Sequence, residues 1–154
     1  MPGVALSIED KFEIMEAVNR FSLHADLGEW EQRLELYDDE IAFDYTAIGG
    51  EARIVSKSQL LPRWRAQSFF DAAQHLIGNV HILSGADDRA EARAYVHCVQ
   101  IKNGRSWRAM GIYLIALRRT DHWRICGQKY TVIHEDGDLS LREEVMRRTK
   151  DATK

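Results

Sequence analysis

AAQHLIGNVHI, residues 72–82, alternates in the manner of a β-strand. Read with a period of two, it sets His75, Asn79 and His81 on one side with Ile77, and Leu76, Gly78, Val80 and Ile82 on the other. Imidazole on such a face means either that the face is wet or that it lines a pocket. The stretch opens a series of strand-like runs: 74–83, 90–101, 106–118 and 122–133. Turn residues separate them, at Gly85-Ala86-Asp87-Asp88, Asn103-Gly104 and Thr120-Asp121.

Upstream, the period changes. Ser7 followed by Glu9 and Asp10 predicts a helix N-cap with acidic residues in the first turn. Spacings of three and four at Ile8, Phe12, Met15, Val18, Phe21 and Ala25 predict one buried helical face, and Gly28 predicts the C-terminal stop. EWEQRLELY, 29–37, predicts a short second helix that turns Trp30, Leu34 and Tyr37 inward. IAFDYTA, 41–47, predicts a strand that ends at Gly49-Gly50. KSQLLPRWRAQSFF, 57–70, has helical spacing in Leu60, Trp64 and Phe69, with Pro62 marking a start or kink. Helices first and a strand meander last predict an α+β fold with helices on one face of an antiparallel sheet. The final stretch, DLSLREEVMRRTKDATK, is charged, with a helical signal around Leu141, Val145 and Met146, and its last residues are expected to fray.

The chain has 154 residues, 45% of them hydrophobic, which predicts one domain (1–154) with one core and a charged extension at 134–154. A formal net charge of -3 with interspersed signs gives no basic stripe for nucleic acid. MPGVALSIED lacks the pattern of a secretory signal, and no apolar run is long enough to span a bilayer, so a soluble, cytoplasmic protein is expected. The two cysteines, Cys98 and Cys126, form no paired motif and read as core or pocket-wall thiols. A metal site is not expected. His75 and His81 share a face, but six residues of strand put them about 20 Å apart, and Asp136-Gly137-Asp138 is too short for a calcium loop.

The order of elements, together with AVNRFSLHADLGEWEQRLELYDDEIAFDY (17–45), QHLIGNVHI (74–82) and RRTDHWRICGQKY (118–130), resembles the SnoaL-like branch of the nuclear transport factor 2-like superfamily. The resemblance covers roughly residues 7–133. It implies a cone-shaped α+β barrel, in which a curved antiparallel sheet wraps around N-terminal helices and leaves one apolar cavity. In the scytalone dehydratase and hexachlorocyclohexane dehydrochlorinase group of this superfamily, an Asp near the end of the first helix pairs with a His on a central strand. Asp26, by its place in HADLGEW, and His75, by its place in QHLIGN, match that pair. Departures from the pattern are Phe21, where the dehydrochlorinase has a Lys, and Gln128, near the place of its Arg. Scytalone dehydratase has a second pocket His on the following strand, and the nearest residue here is His97. Its parity with Arg93 and Tyr95 turns it away if Ala92, Ala94, Val96 and Cys98 face the cavity.

With that resemblance, a cofactor-independent lyase or isomerase is expected. His75 takes a proton from carbon, and Asp26 orients and stabilises the imidazolium. Tyr45, which shares parity with Phe43, is the expected donor to a developing oxyanion, with His24, Asn79 and Gln128 as secondary candidates. Asn79 reads by default as a residue that satisfies buried backbone groups deep in the cone. Trp64, Phe69, Val96, Cys98, Met110 and Ile112 are the expected apolar wall. A small apolar carbonyl- or hydroxyl-bearing ligand is implied, and no cofactor. The outer sheet face, with Arg93, Tyr95, His97, Trp107 and Tyr113, is expected to build a homo-oligomer, a trimer ahead of a dimer. A ligand-binding protein without chemistry and an assembly subunit of a ring-hydroxylating dioxygenase are the alternatives.

Overall fold

The computed structural model describes residues 3–152. Its first helix, α1 (Ile8–Leu27), starts at a capping box in which Ser7 Oγ accepts from the Asp10 N–H and Asp10 Oδ2 accepts from the Ser7 N–H, each at 3.0 Å. It stops at Gly28, whose φ of 70° lets its N–H reach the carbonyls of His24 and Ala25. The buried face is Ile14, Ala17, Val18 and Phe21, while Ile8, Phe12 and Met15 are exposed, contrary to the expected stripe. The helix carries two apolar stripes on opposite sides, the outer one continuing through Leu23 and Leu27, and spacing alone does not say which of them meets the sheet.

Two further helices follow, α2 (Trp30–Glu35) and, after two strands, α3 (Leu60–Gln67), with Pro62 in the first turn of α3. Strand β1 (Tyr37–Asp44) begins earlier than expected, since Tyr37 is its first residue and not the end of α2. The short edge strand β2 (Ala52–Ser56) was not foreseen, because five residues with one buried side chain give little periodic signal. The long strands are β3 (Ala72–Ala86), β4 (Arg89–Lys102), β5 (Arg105–Arg119) and β6 (Trp123–Gly137), and α4 (Leu139–Ala152) closes the chain. The last two residues, where fraying was expected, lie outside the described residues.

The six strands form one curved, unclosed sheet in the order β2-β1-β6-β5-β4-β3. All neighbours are antiparallel except β1 and β6, which run parallel. α1 packs against β3, and the core lies between the helices and the concave face. The α+β architecture is therefore the one expected, with one parallel pairing added.

A bulge in β3 changes the reading of 72–82. Pairing jumps from Gly78↔Tyr95 to His81↔Arg93, which leaves one extra residue, and Asn79 takes a φ of 52° there. Parity reverses beyond it. His75, Ile77, Val80 and Ile82 turn toward the core, whereas Asn79 and His81 are exposed.

Candidate functional site

Asp26 is the penultimate residue of α1, and the Gly28 cap ends the helix beside the open edge of β3. There Asp26 Oδ1 lies 2.7 Å from His75 Nδ1, and Oδ2 accepts the His75 backbone N–H at 2.6 Å. Both oxygens are committed to one residue, which fixes the ring and leaves Nε2 as the nitrogen available to the cavity. Both side chains are largely buried. Directly opposite His75 in the ladder stands Cys98 of β4. Cys98 thus faces the cavity beside His75, and His97 faces outward.

Burial opposes charge on His75, but the neighbouring Cys98 sulfur and the Asp26 hydrogen bond outweigh it and raise the imidazole to about 10. The ring therefore holds its proton more tightly than an ordinary imidazole, and the neutral form gains toward alkaline pH.

A cavity of about 230 Å³ opens onto the pair. An apolar cavity of about 150 Å³ takes benzene, so this one has room for a substituted single ring. Its wall includes Asp26, Tyr45, Trp64, His75, Val96 and Cys98, all foreseen as site residues. It also includes Arg33, Phe70, Trp107, Tyr113, Tyr130 and Met146, which were not.

Several expected wall residues lie elsewhere. Met110 and Ile112 are on the outer face, and Trp107 and Tyr113 take the inner one, the reverse of the expectation. Facing residues in an antiparallel ladder share a side, and the pairing Cys98↔Ala109 sets the parity of β5. The signal was in the sequence, because the two-residue Asn103-Gly104 turn pairs Lys102 with Arg105 and so fixes the register. Phe69 points to Arg148, whose guanidinium lies 4.7 Å from its ring centre, and Phe70 lines the cavity in its stead. Phe43 is buried behind the cavity wall, with Arg63 5.0 Å above its ring. His24 binds Glu29 through Nδ1 at 2.7 Å and does not reach the cavity, and Asn79 is exposed at the bulge.

Gln128 acts one step back from the cavity. Its Oε1 accepts from the Tyr37 hydroxyl at 2.7 Å, which turns its amide N–H to the Tyr45 hydroxyl. Burial pushes the Tyr45 hydroxyl up, so it keeps its proton. Arg33 is buried, donates from Nε to the Phe21 carbonyl at 2.9 Å, and lies 4.2 Å from the Trp64 ring centre. Helix α2 is too short for its pattern to show this arginine turning inward. Tyr130 packs parallel to Tyr45 at 6.1 Å, and its buried hydroxyl has no hydrogen-bond partner. Gly111 makes that position possible, because a Cβ there would collide with the Tyr130 ring. Among the described residues no cluster of side chains is disposed to hold a metal, and no helix is long and apolar enough to cross a membrane.

Residues 6–129 match the family model of the SnoaL-like domain. Among solved structures, a proposed aromatic ring hydroxylase from Novosphingobium aromaticivorans is 21% identical, with a TM-score of 0.81 over 90% of this chain and 99% of that one. A proposed scytalone dehydratase from the same organism is 16% identical, with a TM-score of 0.74 over 85% and 89%. The hexachlorocyclohexane dehydrochlorinase of Novosphingobium barchaimii is 11% identical, with a TM-score of 0.73 over 85% and 91%. These likenesses establish the fold. No curated protein matches the chain by sequence.

Proposed function

The chain belongs to the SnoaL-like family, and from that premise we propose that it is a cofactor-independent lyase or isomerase acting on a small, largely apolar, carbonyl- or hydroxyl-bearing molecule. The observation that carries this reading is the double hold of Asp26 on His75 at the wall of a cavity. His75 Nε2 takes a proton from a substrate carbon, and Asp26 stabilises the imidazolium that forms. The same nitrogen then returns the proton, to a leaving oxygen in elimination or to a second carbon in isomerisation. Tyr45, oriented through Gln128, donates to the oxygen on which charge develops. The names of two structural neighbours, a proposed scytalone dehydratase and a dehydrochlorinase, fit an elimination.

The test starts from the ligand that co-purifies with the protein, identified by mass spectrometry. His75→Ala should abolish its conversion and leave its affinity within a few-fold, because the apolar wall supplies most of the binding. Conversion at the wild-type rate would overturn the reading. The raised His75 pKa favours a second one, a binding protein in which the imidazolium donates to a ligand oxygen. Under that reading the variant loses affinity, and the wild type converts nothing.

We also propose that the chain associates through its outer sheet face, as a trimer ahead of a dimer. Leu76, His97, Met110 and His134 run side by side across four strands there, next to the exposed Tyr95.

A further inference from the structure

We infer that Cys98 is a reactive thiol of the cavity, completing an Asp26–His75–Cys98 relay that adds to the β-carbon of small α,β-unsaturated carbonyl compounds. The first ground is backbone geometry. The His75 N–H turns to Asp26 and not to β4, so His75 and Cys98 form a non-hydrogen-bonded pair of the ladder. Facing side chains approach most closely in such pairs, with Cα atoms about 4.5 Å apart. Asp26 occupies Nδ1, so Nε2 is the nitrogen left for the thiol, in the same order of roles as other nucleophile–imidazole–carboxylate sites. Both residues line the same cavity.

The second ground is Tyr130. Its side chain lines that cavity too, is only 4% exposed, and carries a hydroxyl with no partner in the fold. Burying a hydroxyl unpaired is costly, and a ligand oxygen is the partner it lacks. Burial raises Tyr130, and the nearby Cys98 sulfur adds to that, so the hydroxyl keeps its proton beside the thiol. Cys126, by contrast, has neither the histidine nor the tyrosine and sits on β6 outside this cavity.

Chemically the step closes on itself. From the neutral form of His75, which gains toward alkaline pH, the thiol proton passes to Nε2 as sulfur bonds to the β-carbon, and the C=C electrons move onto the carbonyl oxygen, which accepts from Tyr130. His75 then returns its proton to the α-carbon, giving a saturated thioether with no oxidant or reductant consumed. A dehydration at this site that leaves an enone would place that product beside Cys98. The thiol chemistry itself requires no turnover, so it stands or falls apart from the lyase reading.

The experiment is labelling of the folded, ligand-free protein with 2-cyclohexen-1-one and, separately, iodoacetamide, followed by intact mass and peptide mapping. Cys126 serves as the internal standard. One adduct at Cys98 is expected with each reagent, formed faster than at Cys126. His75→Gln should slow both reactions at Cys98 by about a hundredfold. Asp26→Asn should slow both as well, and serves if the first variant fails to fold. Tyr130→Phe should slow enone addition alone, because alkylation by iodoacetamide builds no charge on a carbonyl oxygen. A Cys98 inert to both reagents would overturn the inference, as would labelling rates unchanged by substitution at His75 or Asp26.

Discussion

Asp26 grips His75 at two points, the ring at Nδ1 and the strand at the backbone N–H, so that one carboxylate at a helix end fixes both the side chain and the edge of the sheet. Asp26→Asn should therefore do more than weaken catalysis. An amide can accept at one oxygen only, so either the ring or the strand N–H loses its acceptor. Turnover is expected to fall by about a hundredfold or more, and hydrogen exchange at the His75 amide should rise. Unchanged exchange with lost turnover would confine the role of Asp26 to the ring.

The second prediction concerns pH. Because His75 is raised to about 10, and only the neutral ring is a base, kcat/KM should climb from neutral into alkaline pH. Cys98→Ala removes one cause of the rise, and the limb should move to lower pH. The linkage to stability has the opposite sign. A histidine raised above its ordinary 6.5 stabilises the fold in full below that pH, and its contribution fades as pH rises through about 10. Chemical denaturation of wild type and His75→Ala across that range should show their difference shrinking at the alkaline end.

Arg33 gives a prediction independent of the chemistry. Its guanidinium is sandwiched in the core between Trp64 and the Phe21 carbonyl. Arg33→Met keeps much of the volume but loses both the charged hydrogen bond and the cation–π contact, so a loss of about 2 kcal/mol is expected in urea denaturation. Arg33→Lys should recover little, since an ammonium lacks the planar fork that makes both contacts.

Association through the outer face should depend on Leu76 and Tyr95, 66% and 52% exposed. Leu76→Glu with Tyr95→Glu should give a monomer by light scattering with an unchanged circular dichroism spectrum. An oligomer that persists in the double variant would move the interface elsewhere, for example to the outer stripe of α1.

The sequence carried the frame further than it carried the wall of the cavity. Ser7, Gly28 and Asn103-Gly104 are local signals whose backbone geometry depends on few neighbours, and each marks an element end in the structure. Asp26 and His75 stand 49 positions apart, and only the family resemblance put them together. The inner face of β5 follows register and not hydrophobicity: Met110 and Ile112 are apolar yet outward, while Trp107 and Tyr113 are inward. Asn79 was misplaced by a bulge, since a period of two holds only while the ladder is unbroken. Tyr130 has no local signal in the sequence, because the room for its ring comes from Gly111, a residue across the ladder with no side chain to read.

Proton transfer at carbon is the centre of this account, and solvent deuterium reads it most directly. The protein should be incubated with its identified ligand in heavy water and the ligand analysed by mass spectrometry and NMR. With the wild type the ligand should either gain deuterium at one carbon, as isomerisation requires, or lose one carbon-bound hydrogen together with its leaving group, as elimination requires, and His75→Ala at equal occupancy should do neither. Equal conversion or exchange by both proteins, or a ligand left unaltered by the wild type at full occupancy, would contradict proton abstraction by His75.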